Sequence, residues 1–203
     1  MRLPGLALAF LLAAMPGLPA AAQGLADGTA IRPDDARRLE RLDEAYGRAL
    51  REAFGGGARA DVAVLVAALS GRPRETAPEA LTGDWSCRVV KVGGITPLTV
   101  YDPFRCRVSV AGGQVLLDKL TGSQRLRGTI HRDGERLVLL GAGYIAGDPA
   151  PDYAALPEVI DPAASPQVTA APGIVEMTGP DRGRILFPYP MLESTLDVLM
   201  LSR

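Results

Sequence analysis

A mainly β domain of the α+β kind is expected for this 203-residue chain, with two N-terminal helices packed on an antiparallel β-barrel or barrel-like sandwich of about eight strands. Up to residue 78 the apolar residues recur at helical spacing; from Leu81 onward their period is two. The period-two runs are short and are joined by tight glycine turns, which makes an antiparallel meander. The expected division is a leader over 1–22, a helical prefix over 23–78 and a β-domain over 79–203 that contains a proline-rich excursion at 148–172.

The leader is read from a short basic start at Arg2, the apolar run Leu6 to Leu12, helix-breaking Pro16 and Pro19, and the small residues Ala20 to Ala22. That is the layout of a secretory signal peptide, and the run is too short and too broken by proline to span a bilayer. An exported, periplasmic or secreted product is therefore expected, with no membrane span in the mature chain. In an oxidising compartment the two cysteines, Cys87 and Cys106, read as a structural disulfide. Chain-entropy arithmetic values such a loop closure at about 3 kcal/mol.

The first helix opens at Pro33-Asp34-Asp35, with proline at the first turn and acidic residues at the positive end of the dipole. Leu39, Leu42, Tyr46, Leu50 and Phe54 then fall on one stripe. Asp34 with Arg38 and Glu44 with Arg48 are spaced to pair, and Gly55 to Gly57 ends the helix. A second helix runs from Asp61, as its cap, to Ser70, turning Val62, Leu65, Val66 and Leu69 inward. The expected strands are 85–92, 98–101, 104–110, 114–120, 124–130 and 136–140, followed by closing strands near 173–177, 184–187 and 195–201. Trp85, Cys87 and Val89 share one face, as do Phe104, Cys106 and Val108, which puts the proposed bridge on the buried side.

With a formal charge of -1, the chain has no field to gather nucleic acid or an anionic membrane surface. No metal or cofactor is expected: His131 is the single histidine and reads as a surface turn residue. No Gly-x-Ser-x-Gly or Ser-x-x-Lys spacing is present, and no glycine loop precedes a lysine. Non-enzymatic binding is the leading expectation, toward an extracytoplasmic protein or a small amphipathic or anionic ligand. The alternatives are a protease-inhibitor-like barrel, acting through the terminus or the 148–172 excursion, and a hydrolase using Ser123, Gln124 and Arg125, with His131 as Ser123's partner. The candidate ligand-binding residues are Arg88, Lys91, Ser123, Gln124, Arg125 and Arg127. Arg125 and Arg127 share one face of their strand while Leu126 and Ile130 take the other. With the leucines inward the arginines meet solvent; with the arginines inward they could receive an anion.

Gly-Asp-Trp-Ser-Cys-Arg-Val-Val-Lys at 83–91, the Tyr101 to Cys106 segment, Thr-Gly-Ser-Gln-Arg-x-x-Gly at 121–128 and Arg-x-Leu-x-Pro-x-Pro at 184–190 resemble a family of exported bacterial proteins, domain of unknown function 4893. The resemblance implies export and domain extent, and it brings no catalytic residues. Gly83-Asp84-Trp85 is also similar to the opening of lipocalin-like barrels and of small secreted protease inhibitors, an analogy of fold.

Overall fold

The computed structural model describes residues 24 to 203, so the expected signal peptide lies outside the described residues. Within them, three helices come first: α1 (Pro33–Glu40), α2 (Leu42–Gly56) and α3 (Arg59–Leu69). The strands are β1 (Gly83–Val92), β2 (Leu98–Val100), β3 (Phe104–Ala111), β4 (Gln114–Lys119), β5 (Gln124–Asp133), β6 (Arg136–Ile145), β7 (Val168–Gly179), β8 (Arg182–Pro188) and β9 (Leu196–Ser202). From β3 to β9 each strand pairs antiparallel with the next, and β1 pairs with both β3 and β9. Eight strands therefore close into a barrel, and no sheet edge is left along most of the wall. The extra strand is β2, which pairs with Val90 to Val92 of β1 where β3 has ended at Cys87.

Alternation decides which side chains enter the barrel. Trp85, Cys87, Val108, Val115, Leu117, Leu126, Ile130, Leu139, Ile185, Leu199 and Leu201 belong to one buried cluster, the interior. Cys87 and Cys106 are bonded within it, with Cα atoms 5.9 Å apart. The lower end is stoppered. Leu81, on the 3-10 turn Pro78–Leu81, is fully buried, and its carbonyl accepts a 2.7 Å hydrogen bond from the Trp85 indole N–H. The Arg203 guanidinium lies 4.1 Å from the Trp85 ring centre.

The outward faces are of two kinds. Val90, Val92, Leu186, Leu196 and Val198 turn out under α2 and α3, and Val138, Leu140 and Ile174 turn out under α1 and the segment before it. Across β1, β3, β4 and β5, charges alternate instead: Arg107 pairs with Asp84 and Arg127 with Asp118, each at 2.6 Å.

Several expectations are corrected. The single helix over Pro33 to Phe54 is two, because the chain breaks at Arg41 (φ -95°, ψ 19°) to follow the curved wall. The seam of α2 is Ala45, Ala49 and Ala53, all fully buried, with Leu42, Tyr46 and Leu50 on its flanks and Phe54 exposed. Small residues let the helix axis approach the convex barrel closely, and the larger ones splay to either side. The second expected helix starts at Arg59, its N-cap is Ala58 rather than Asp61, and Val66 faces solvent. The acidic partners also shift: Arg38 holds Asp35 at 2.9 Å, Arg41 holds Glu44 at 2.8 Å, and Arg48 reaches Glu52 at 3.2 Å.

His131 sits within β5, opposite Val138, rather than in the turn. Its Nδ1 lies 2.9 Å from Asp27 Oδ2, so it clamps the N-terminal segment on the barrel. The excursion ends at Gln167, where β7 begins, and Pro172 fits inside β7 because pairing with β8 starts only at Ile174. The excursion is pinned to α1: the Tyr153 hydroxyl donates to Asp35 at 2.8 Å, and Arg32 donates to the carbonyls of Leu156, Pro157 and Glu158.

Candidate functional site

The upper end of the barrel is unlike the lower. There the inward positions pass from apolar residues to Lys91 on β1, Lys119 on β4, Gln124 on β5, Thr169 on β7 and Asp197 on β9, and a cavity of about 490 Å3 opens among them. Its wall remains largely apolar, with Val89, Phe104, Leu126, Ala171, Phe187 and Leu199 below the polar ring. The β8–β9 loop roofs one side with Pro190, Met191, Leu192 and Glu193, and Tyr101 flanks the other. That loop holds the two non-glycine residues of positive φ, Tyr189 (46°) and Glu193 (69°), among the described residues. Strained backbone at a cavity mouth is a recurrent feature of functional sites.

The polar ring is mostly satisfied within itself. The Lys91 ammonium pairs with the Glu193 carboxylate and donates to Gln124 Oε1 at 3.1 Å. Hydrogen bonding from Lys91 holds Glu193 below the usual carboxylate range. Lys119 donates to the carbonyls of Thr121 at 2.9 Å and Gln124 at 2.6 Å, and stands 3.7 Å from the Phe104 ring centre. Burial, then repulsion from Arg125 and Lys91, pushes Lys119 down to about 8. Asp197 lies opposite Lys91 in the β1–β9 register and accepts a 2.5 Å hydrogen bond from the Ser194 hydroxyl. Burial pushes its carboxyl up to about 6, against the Ser194 bond and the charge of Lys91. Arg38 closes the far rim, donating to Asp35 at 2.9 Å and to the Ala170 carbonyl at 3.0 Å.

The sequence-derived candidates divide between two places. Lys91, Ser123, Gln124 and Arg125 border the cavity. Arg127 is on the outer wall, paired with Asp118 at 2.6 Å. Arg88 is also outside, in a smaller hollow of about 290 Å3 with Ser86, Arg182 and Ser202. Alternation sets the orientation of β5: Leu126 and Ile130 are buried inside, so Arg125 and Arg127 lie on its outward face, and Arg125 borders the cavity from the rim. Ser123 and His131 stand at opposite ends of β5, roughly 25 Å apart along the strand, and make no catalytic pair. Among the described residues no three His, Cys, Asp or Glu side chains converge as metal ligands.

Lys119, Asp197, Glu193 and Arg38 were not anticipated. Two sequence signals point to the first two. Lys119 breaks the inward alternation of Val115 and Leu117, and Asp197 is the lone charge in the apolar run Leu196 to Leu201. An ionisable group at a core position needs a partner or a use.

No curated protein matches the chain. The family model named Domain of unknown function (DUF4893) matches it over residues 28–201, and the chain belongs to that family.

Proposed function

We propose that this protein is a non-enzymatic binding barrel that takes a small amphipathic molecule into its upper mouth after export to the periplasm. The observation that carries the reading is the cavity of about 490 Å3, apolar below and ringed by cations above, within the size range of small-molecule sites. Arg38, Lys91, Lys119 and Arg125 outnumber Glu193 and Asp197 around it, which favours a ligand with an anionic or strongly polar head. Export is supported by the leader-like first residues and by a disulfide that an oxidising compartment would maintain. The anchoring of 148–167 on α1 favours the cavity over that excursion as the working element. Among the described residues no helix is long and apolar enough to cross a membrane.

The direct test is a fluorescence titration with anilinonaphthalene sulfonate, an anionic amphipathic probe. Saturable binding at one site is expected, and Ala171→Phe, which fills the mouth from β7, is expected to weaken it at least about tenfold while the folded spectrum is kept. Absence of saturable binding by the unaltered protein would refute the reading.

A further inference from the structure

Of the 22 lysine and arginine side chains in the chain, only Lys91 and Lys119 are lysine. Both enter the barrel, both border the same cavity, and they are 7% and 6% exposed. Arginine serves every other basic position. Arginine does not release its proton in a protein, whereas a desolvated lysine does. Confinement of lysine to the cavity therefore points to amine chemistry as well as to charge.

The two lysines are not equivalent. The Lys91 ammonium is held in an ion pair with Glu193 and donates to Gln124 Oε1. Lys119 has no carboxylate within ion-pair reach among the described residues; it donates to the Thr121 and Gln124 carbonyls, beside the Phe104 ring. Those carbonyls occupy two N–H bonds, the number a neutral amine retains, so loss of the proton breaks neither. Burial beside apolar surface and neighbouring cations is the usual way a lysine becomes a nucleophile near neutral pH. The lowered proton affinity of Lys119 agrees with that placement.

We propose that Lys119 captures a carbonyl compound, an aldehyde or ketone with an apolar tail, as a Schiff base in the barrel mouth. This rests on the reading of the mouth as a ligand site and names the chemistry of its ligand. The Nζ lone pair forms a bond to the carbonyl carbon, the C=O π pair moves to oxygen, and a proton passes from nitrogen to that oxygen to give a carbinolamine. The hydroxyl then leaves with the remaining N–H proton as one molecule of water, and the C=N bond forms. Nothing is oxidised or reduced. The tail lies against Phe104, Leu126, Phe187 and Leu199.

The test uses hexanal with sodium cyanoborohydride, which reduces the imine to a stable adduct, followed by peptide mapping of the full chain. Near neutral pH, Lys119 is expected to be alkylated at least about tenfold faster than Lys91, whose amine is engaged by the Glu193 carboxylate, because each unit by which burial lowers the Lys119 pKa raises its neutral fraction about tenfold. The rate is expected to rise with a midpoint near pH 8. Equal rates at the two lysines, or modification only at the chain's N-terminal amine, would overturn the proposal. Since both lysines are compared in one folded molecule, the result does not depend on a variant folding; Lys119→Arg, which keeps the charge, is expected to abolish the adduct. Glyceraldehyde, polar and uncharged, is expected to react more slowly, and equal speed would overturn the apolar-tailed ligand. Loss of the adduct with anilinonaphthalene sulfonate still bound refutes the covalent chemistry alone, whereas loss of both refutes the ligand site itself.

Discussion

The two ends of the barrel are built from the same eight strands by the same alternation, yet one is a packed core and the other a lined cavity. At the lower end, inward positions carry Trp85, Val108, Ile130, Leu137, Met177 and Leu201, and Leu81 stoppers the opening. At the upper end the corresponding positions carry Lys91, Lys119, Gln124, Thr169 and Asp197, together with Gly143, whose added Cβ would run into the Thr169 hydroxyl. Backbone closure makes a space; side-chain volume and polarity decide whether it fills. Packed core and lined cavity are thereby separated along one axis, with the Cys87–Cys106 bridge among the packed residues.

The strongest way to break this division is Trp85→Ala. It removes the largest side chain of the packed end and is expected to cost about 3–5 kcal/mol in a denaturant melt, with the mouth residues untouched. A loss below about 1 kcal/mol would mean that the lower end is not the structural half.

Next in size is Asp197→Asn, which probes the opposite end. The folded-state pKa of Asp197 is about 6, above the ordinary carboxylate value of 3.8, so the folded state binds the proton more tightly than the unfolded chain does. Stability therefore falls as pH rises from near 4 to near 6, and above 6 the penalty is fully present, on the order of 3 kcal/mol. The asparagine variant is expected to be more stable than the unaltered protein above pH 6, with the advantage fading as pH drops toward 4. A stability difference independent of pH would contradict this assignment.

The smallest effect sharpens the contrast between inside and outside. Arg127→Ala, on the outer wall, is expected to change stability by less than about 1 kcal/mol, as an exposed ion pair does, and to leave anilinonaphthalene sulfonate affinity unchanged. A fall in affinity matching that of Ala171→Phe would place Arg127 in the site.

Much of the wall was legible before the structure. Strand spacing and the turns at Gly112-Gly113, Gly122 and Gly134 depend on backbone preferences of a few adjacent residues, and all three turns join paired strands. The helices are less legible. A period of three and four finds the apolar stripe of α2, but the closeness of its approach to the barrel, which selects Ala45, Ala49 and Ala53 as the seam, is a property of the packed pair. Of the site, Lys91, Ser123, Gln124 and Arg125 were read from one unusual cluster, while Lys119 and Asp197 sit in strands that otherwise read as wall.

The sequence by itself determined where the strands fall along the chain, the hairpins from β3 to β6, the one possible cysteine pairing and the presence of only two lysines, because each is a matter of local propensity or of counting; that β1 lies between β2 and β3, against a simple meander, it did not. Tertiary structure alone decided that β1 meets β9, and with that closure that Lys91, Lys119 and Asp197 share one space. Their convergence depends on register and curvature summed around the whole barrel. No local stretch of chain contains that information.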